Sequence, residues 1–184
     1  MKFKFGIKEV VAAGIGTALF VALTQVRIPL GFIPNTELQL RAALLAFLAA
    51  VFGPVVGGIV GLAGHAISDA FFYGSVWWSW VIPDAVFGIA MGLFASKFQI
   101  TEGGFDGSKI VMFNVVQAIG NAAAWIVVAP LLDIVIYAEP VNKVFAQGFF
   151  AFLGNFMITL ILGTLLAVGY SRIGAKSGSL KKED

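Results

Sequence analysis

The sequence contains long segments without any polar residue, and the run from Ala42 to Val51 is the clearest of them. Strands of a membrane β-barrel alternate apolar and polar residues over about 10 positions, so a continuously apolar run indicates a helix instead. In the whole chain 59% of the residues are hydrophobic, 12% are charged and the mean hydropathy is +0.94. Soluble domains carry about 25% charged residues. The sequence therefore predicts an all-α membrane protein embedded in the lipid bilayer.

A chain of 184 residues has room for about six membrane-spanning helices, because each needs about 20 apolar residues. We predict a single transmembrane domain, residues 1–184, formed by a bundle of six transmembrane helices at 8–26, 38–52, 54–72, 77–97, 108–131 and 144–171. The segments 27–37, 99–108 and 132–143 are predicted to be loops. Pro83 predicts either a kink in the fourth helix or the start of that helix, and we prefer the second alternative.

Positive charges are distributed unequally between the two predicted sides of the membrane. One side carries Arg27, Arg41 and Lys143, whereas the other carries Lys2, Lys4, Lys8, Lys97, Lys109, Arg172, Lys176, Lys181 and Lys182. Cytoplasmic loops are enriched in Lys and Arg. We therefore predict a multi-pass protein of the cell membrane with both termini in the cytoplasm. The segments 27–37 and 132–143 then face outward, where an external solute would be captured.

Ionisable residues inside the predicted spans are the first candidates for function. His65 and Asp69 are four residues apart and share one face of the third helix. They are interpreted either as a substrate-binding or proton-handling pair, or as a structural hydrogen bond between helices. Asp84 is a further ionisable residue within a span. A metal site is not expected, because His65 is the only histidine and the chain has no cysteine.

Amide and aromatic side chains form a second group of candidates. Asn121, on a polar stripe of the fifth helix, and Gln147, in the sixth, are predicted ligand-binding residues, while Asn155 is predicted to be structural. Tryptophans collect at membrane interfaces, but they also form walls on which a flat ring can stack. Both interpretations apply to the aromatic cluster Phe71, Phe72, Tyr73, Trp77, Trp78 and Trp80.

The first helix presents small residues at every fourth position, Gly14, Ala18 and Ala22. Such a face allows close approach of another helix, within the bundle or on a second subunit. No phosphate-binding loop or ATPase motif is present in the sequence, so any use of ATP requires a partner protein. No catalytic constellation and no nucleic-acid-binding patch are recognised either.

Several motifs together resemble the substrate-binding S components of energy-coupling factor (ECF) transporters, and the resemblance is closest to the riboflavin-type subfamily and its cobalamin-linked relatives. It extends over essentially the whole chain. The motifs are Lys2–Phe5, Gly14–Phe20, Ile33–Thr36, Phe52–Pro54, Gly64–Asp69, Trp77–Trp80, Phe145–Gly148 and Gly178–Lys182.

The resemblance implies a six-helix vitamin-binding subunit that needs no cofactor and works with a transmembrane coupling subunit and two cytoplasmic ATPases. Such subunits bind the vitamin from outside and topple in the membrane to release it inside. By the same resemblance, Gly14, Ala18 and Ala22 are expected to dock on the coupling subunit. The segment 27–37 is expected to gate the pocket.

Cobalamin is the expected substrate, mainly from the subfamily resemblance, and riboflavin, pyridoxine or a thiamine precursor are the alternatives. The predicted substrate-binding residues are Asn35, Gln39, His65, Asp69, Trp77, Trp78, Trp80, Asp84, Asn121 and Gln147. Two other classes of protein are also considered. An intramembrane enzyme would use His65 and Asp69 as an acid–base pair, and a stand-alone secondary transporter or channel would use Asp69 and Asp84.

Overall fold

The computed structural model describes residues 6–29, 31 and 36–180, with only the backbone described for 174–180. Within these residues the chain forms six helical rods. The first four are α1 (Ile7–Leu23), α2 (Arg41–Phe52), α3 (Pro54–Phe72) and α4 (Trp78–Gly92), which is followed by the short helix α5 (Ala95–Phe98). The fifth rod joins α6 (Gly107–Ala122) to α7 (Ala129–Tyr137), and the sixth joins α8 (Val141–Ile158) to α9 (Thr164–Leu180).

Each of the last two rods contains a π-helical segment, Ala123–Val128 in the fifth and Thr159–Gly163 in the sixth. A π-helical turn is wider than an α-helical turn and often occurs at functional sites. The side chain of Trp125 lies within the first of these segments and is buried.

The predicted loop 132–143 is wrong over most of its length. The fifth rod continues to Tyr137, and α8 begins at Val141, so only residues 138–140 connect the two. Ala138 ends the rod in a left-handed conformation with φ of 54°, and Pro140 precedes the first residue of α8. The charged Asp133 was read as a loop residue, but it is buried inside the helix because three donors from other segments surround its carboxylate.

The predicted loop 27–37 also contains regular structure. Strand β1 (Arg27–Pro29) pairs antiparallel with strand β2 (Glu37–Gln39), with Arg27 opposite Gln39 and Ile28 opposite Leu38. This hairpin leads directly into α2. It therefore lies beside the end of the bundle at which α2 begins and α3 ends.

The preferred start of the fourth helix at Pro83 is wrong, because α4 begins five residues earlier at Trp78 and Pro83 lies inside it. A proline in this position removes one backbone hydrogen bond of the helix. The residues Trp78, Ser79 and Trp80 consequently form the first turn of α4 instead of a separate interfacial segment.

Helices α3 and α4 pack closely together, because glycines face the neighbouring backbone. A Cβ atom placed on Gly61 would lie 2.5 Å from the carbonyl oxygen of Asp84, and one on Gly92 would lie 2.3 Å from the backbone nitrogen of Pro54. Such distances exclude any side chain at these positions. The close packing brings the next turn of α3, which carries His65, against Asp84.

Three of the described helices are long and apolar enough to cross a membrane, namely Pro54–Phe72, Gly107–Tyr137 and Val141–Ile173, and Arg41–Phe52 is a shorter apolar helix. The outer faces of the rods carry large apolar side chains such as Val111, Val135 and Leu165. An apolar outer surface is the expected property of helices that contact lipid. The fold is therefore that of an all-α membrane protein.

Candidate functional site

A polar cavity of about 260 Å³ lies inside the bundle, next to the β-hairpin. Side chains from β2, α2, α3, α4, the first π-helical segment, α7 and α8 contribute to its wall. The lining residues are Glu37, Gln39, Arg41, Ala42, His65, Asp69, Tyr73, Ser75, Trp77, Trp80, Asp84, Trp125, Asp133, Glu139, Lys143, Gln147, Ala151 and Asn155.

His65 lies at the centre of a buried charged network on one side of this cavity. Its Nε2 is 3.0 Å from Arg41 Nη2 and 3.4 Å from Asp69 Oδ1, and its Nδ1 is 2.8 Å from Asp84 Oδ2. A guanidinium can only donate, so Nε2 must accept the hydrogen bond from Arg41. The ring proton therefore belongs on Nδ1, facing Asp84. The 2.8 Å contact between Nδ1 and Asp84 is short but lacks hydrogen-bond alignment, because Nδ1 has no partner of suitable angle.

Arg41 is itself held from three directions. Its Nη1 donates to Thr24 Oγ1 at 3.2 Å, and its guanidinium lies over the ring of Phe20 at 4.8 Å. Thr24 Oγ1 is in turn 2.9 Å from Ser68 Oγ, one residue before Asp69 on α3. Since a buried charge is costly unless it is paired and hydrogen-bonded, this arrangement fixes the guanidinium beside the cavity and ties α1, α2 and α3 together.

Trp77 connects the charged network to the opposite wall of the cavity. Its backbone N–H donates to Asp69 Oδ2 at 2.9 Å, and its indole Nε1 donates to Asp133 Oδ1 at 2.8 Å. Asp133 also accepts from Trp80 Nε1 at 2.9 Å and from the hydroxyl of Ser79. The three donors to Asp133 are all uncharged. They are also the physical reason that this carboxylate is buried on α7.

The hairpin is attached to the end of α3 by a cluster of polar side chains. Arg27 Nη1 is 3.3 Å from Glu37 Oε1 and also donates to the hydroxyl of Tyr73, which donates to Glu37 Oε2 at 2.8 Å. Partial burial and the hydrogen bond to Glu37 raise the pKa of Tyr73, while Arg27 opposes that shift. Gln39 adds a hydrogen bond to Glu37 at 3.0 Å. These contacts hold β2 over the cavity.

Three buried polar atoms of the cavity wall have no hydrogen-bond partner among the residues that the structure describes. They are Nδ1 of His65, which faces Asp84, the donor Nε1 of Trp125 and the acceptor Oε1 of Gln39. Trp125 is 3% exposed, and its ring contacts that of Trp80 edge to face at 5.5 Å. Buried polar groups are normally satisfied, so these atoms mark positions where a bound molecule would form hydrogen bonds.

The structure brings together most, but not all, of the residues that the sequence suggested. Asn121 does not line the cavity, because its side chain donates to Gln117 at 2.9 Å within the same helix. Trp78 also lies outside the lining and is 46% exposed, and Asn35 falls outside the described residues. The predicted residues that do line the cavity are Gln39, His65, Asp69, Trp77, Trp80, Asp84 and Gln147.

Several contributors to the wall were not among the predicted ligand contacts. Arg41 falls in the predicted second helix but enters the sequence analysis only as a charge for the topology, Asp133 falls in a predicted loop, and Asn155 is predicted to be structural, yet all three line the cavity. Trp125 was not singled out. Each of the two charged residues is an ionisable side chain beside an apolar segment, which is the signal that would have identified it. In the described part of the chain no group of three His, Cys, Asp or Glu residues is arranged to hold a metal ion.

These features define an all-α membrane protein with a cavity between its helices and the β-hairpin, lined by polar and aromatic side chains. The sequence profile described as ECF-type riboflavin transporter, S component, matches residues 4–172. The chain belongs to this family of transporter S components, which are transporter subunits and not enzymes. The family assignment made from the sequence motifs is thereby confirmed.

Relatives are similar to this chain over their full length. A UPF0397 protein of Exiguobacterium sp. is 48% identical over 180 residues, covering 97% of this chain and 98% of the relative. A UPF0397 protein of Streptococcus gordonii is 49% identical over 179 residues, covering 97% and 96%. One from Streptococcus pneumoniae is 46% identical over 183 residues and covers both chains completely.

Proposed function

We propose that this chain is the solute-binding subunit of an ECF-type importer and that the cavity beside the hairpin binds a water-soluble vitamin. The observation that carries the proposal is the partly open cavity, which combines an aromatic wall with convergent polar groups and unpartnered hydrogen-bonding atoms. Sites for small molecules have this composition. The family assignment supplies the second support.

The proposed subunit is a single membrane domain with six spans and both termini in the cytoplasm. The excess of Lys and Arg near the chain ends supports this orientation. The hairpin and the residue 138–140 connection then face outward. A solute would enter from outside after the hairpin moves away from α3.

A face of α1 is the proposed contact with the coupling subunit. Gly14, Ala18 and Ala22 are exposed, and a Cβ atom on Gly14 would meet no atom within 4 Å. The opposite face of α1, which carries Ala13, Gly16 and Phe20, is buried in the bundle. A flat face without large side chains permits close packing by a partner helix. The transmembrane coupling subunit and two ATPases would supply the energy for toppling and release.

The size of the cavity bears on the choice of vitamin. Its volume of about 260 Å³ lies just below the range of about 300–1,000 Å³ for pockets of drug-sized ligands. This favours a compact ring compound such as pyridoxine or a thiamine precursor, and riboflavin would require modest widening. Cobalamin is much larger and would require the hairpin and neighbouring helices to separate. Cobalamin therefore remains a prediction, and the volume of the cavity argues against it.

The environment of His65 weakens the alternative of an intramembrane enzyme. Its Nε2 already accepts from Arg41, and its Nδ1 faces Asp84. Neither nitrogen is directed at the open cavity as a general base would be. A stand-alone transporter would move its solute in liposomes under an ion gradient without ATPase partners, whereas the proposed subunit would require them together with ATP.

The proposal is tested by calorimetry on the purified chain with cobalamin, riboflavin, pyridoxine, thiamine and their precursors. Tight binding of one vitamin, with its uptake into proteoliposomes only when the coupling subunit, the ATPases and ATP are present, is the expected result. Uptake by the chain alone, or absence of binding to every member of the panel, would contradict the proposal.

A further inference from the structure

The cavity wall contains more negative than positive charge. Its carboxylates are Glu37, Asp69, Asp84, Asp133 and Glu139. Arg27 offsets Glu37 at 3.3 Å, and Lys143 offsets Glu139 at 2.6 Å. Arg41 offsets only one of the two aspartates beside it, Asp69 or Asp84. Two carboxylates of the wall are therefore left without a cationic side chain.

His65 does not supply the missing positive charge. A protonated imidazole would carry hydrogens on both nitrogens, but the Nη2 of Arg41 points a donor at Nε2 from 3.0 Å. Two donors cannot share that contact, so the ring is neutral with its proton on Nδ1. The network of His65, Arg41, Asp69 and Asp84 consequently keeps one net negative charge.

Asp133 provides the second uncompensated charge, on the other side of Trp77. Its hydrogen-bond donors are two indoles and a serine hydroxyl, and within the described ranges no Lys or Arg nitrogen lies within 4.0 Å of it. Uncharged donors satisfy the oxygen lone pairs but leave the charge itself in a site of low dielectric. A positively charged ligand would remove that cost.

The aromatic side chains of the wall are suited to the same ligand. Trp80 and Trp125 lie in contact on the cavity wall, and Trp77 donates to Asp69 and to Asp133 through its two N–H groups. Indole faces attract cations, and the attraction is stronger where water is excluded. The unpartnered Nε1 of Trp125, in a side chain 3% exposed, adds a donor for a ligand acceptor atom, and Gln39 Oε1 adds an acceptor.

We propose that the cavity selects a compact nitrogen heterocycle that carries a positive charge and also bears a hydrogen-bond acceptor. The carboxylates of Asp69 and Asp133 neutralise the charge, the indoles stack on the ring, and Trp125 Nε1 donates to the acceptor. This inference rests on the proposed solute-binding function and specifies the chemical class of its solute. It distinguishes the cavity from one made for a neutral ring such as riboflavin.

The test compares cationic probes with related neutral ones by calorimetry on the full chain in lipid nanodiscs, and the pair of pyridoxamine and pyridoxine differs mainly in charge. Pyridoxamine carries an aminomethyl cation where pyridoxine has a neutral hydroxymethyl group. Thiamine carries a thiazolium cation, and its hydroxymethylpyrimidine precursor does not. We expect the cationic member of at least one pair to bind about tenfold or more tightly than its neutral partner. Riboflavin is the neutral reference.

The variant Asp133→Asn removes the charge and keeps one oxygen, which can accept from one of the two indoles. It should reduce the preference for the cationic probe about tenfold or more, while Glu102→Gln, which changes an exposed carboxylate away from the cavity, should not.

If Asp133→Asn does not fold, the paired affinities of the unmodified chain remain decisive. Binding of neutral probes with equal or greater affinity overturns the charge selection but leaves the solute-binding function intact. Absence of binding to all five probes overturns both.

Discussion

Gly57 on α3 and Gly88 on α4 are in direct backbone contact, since a Cβ atom on Gly57 would lie 2.4 Å from the carbonyl oxygen of Gly88. The reciprocal distance, from a Cβ on Gly88 to the carbonyl oxygen of Gly57, is 2.3 Å. The obstacle is backbone on both helices and cannot move aside as a side chain would. These two glycines therefore set the separation of α3 and α4, and with it the distance between His65 and Asp84.

Replacement of Gly57 by alanine should consequently destabilise the protein by about 1–3 kcal/mol, the usual cost of overpacking. Thermal unfolding in detergent measures this effect. Gly169→Ala is the matched control, because a Cβ there would meet no atom within 4 Å. Equal stability of both variants would show that the helices separate without cost.

Loss of Arg41 should be far more damaging than loss of an exposed arginine. Arg41→Gln removes the buried cation that donates to His65 and leaves the charges of Asp69 and Asp84 without it, and an uncompensated buried charge costs about 3–5 kcal/mol. The exposed Arg172→Gln should cost about 0.5 kcal/mol or less. Denaturant unfolding of the purified variants compares them. In Arg41→Gln/Asp69→Asn, part of the lost stability should return, because one unpaired charge is gone.

Gln147 and Trp78 should differ in their effect on solute binding, although the sequence suggested both as ligand contacts. Gln147 lines the cavity, whereas Trp78 does not and is 46% exposed. Gln147→Ala should weaken binding by about 1–3 kcal/mol, and Trp78→Ala should leave the affinity unchanged. Calorimetry with the best-binding vitamin measures both. The opposite pattern would move the site away from the described cavity.

A large side chain on the small-residue face of α1 should block transport without affecting capture of the solute. Ala18→Trp is expected to reduce uptake into proteoliposomes by about tenfold or more, while the affinity of the isolated chain is retained, because the bulky ring prevents close helix contact. Val111→Trp provides the control on an exposed position of α6. Normal uptake by Ala18→Trp would exclude this face from subunit contact.

The phenol of Tyr73 should ionise at a higher pH than a free tyrosine. Partial burial and the hydrogen bond to Glu37 raise its pKa above the ordinary value of 10.0. The neutral form is therefore favoured in the folded protein. The neutral phenol of Tyr73 stabilises the hairpin fully below pH 10, and this stabilisation is lost as the pH rises through the raised pKa of Tyr73. The ultraviolet difference titration of the unmodified chain against Tyr73→Phe measures this transition, and a midpoint below 10 would contradict the prediction.

The helices could be predicted from the sequence because apolar runs and their Pro and Gly boundaries are local signals. The break between α2 and α3 at Gly53 and Pro54 illustrates this, since Pro54 begins α3 and Gly53 has φ of 91°. The end of the fifth rod could not be predicted in the same way. Asp133 is polar in a local window, and only its three donors on distant segments make a helical, buried position favourable.

The candidate site, like the fold, could be predicted only in part from the sequence. Residues that stand inside apolar helices, such as His65 and Asp69, were recognised from their cost in a membrane. Asn121 has the same signal, but its Nδ2 donates to Gln117 one turn away and its side chain does not line the cavity, and sequence alone does not distinguish the two situations. Asp133 falls in a predicted loop and Arg41 at the start of the predicted second helix. Their burial depends on the packing of other helices and is not visible in their own segments.

The number of residues in the π-helical segment Ala123–Val128 determines which side chains this part of the fifth rod directs at the cavity. A π-helical turn holds an additional residue relative to an α-helix, so deletion of one residue from this segment would restore regular α-helical winding. The residues beyond it would keep their orientation, whereas Trp125 would turn away from Trp80 and leave the cavity wall. Relatives one residue shorter at this point are therefore expected to recognise a different solute even where all the charged side chains are retained.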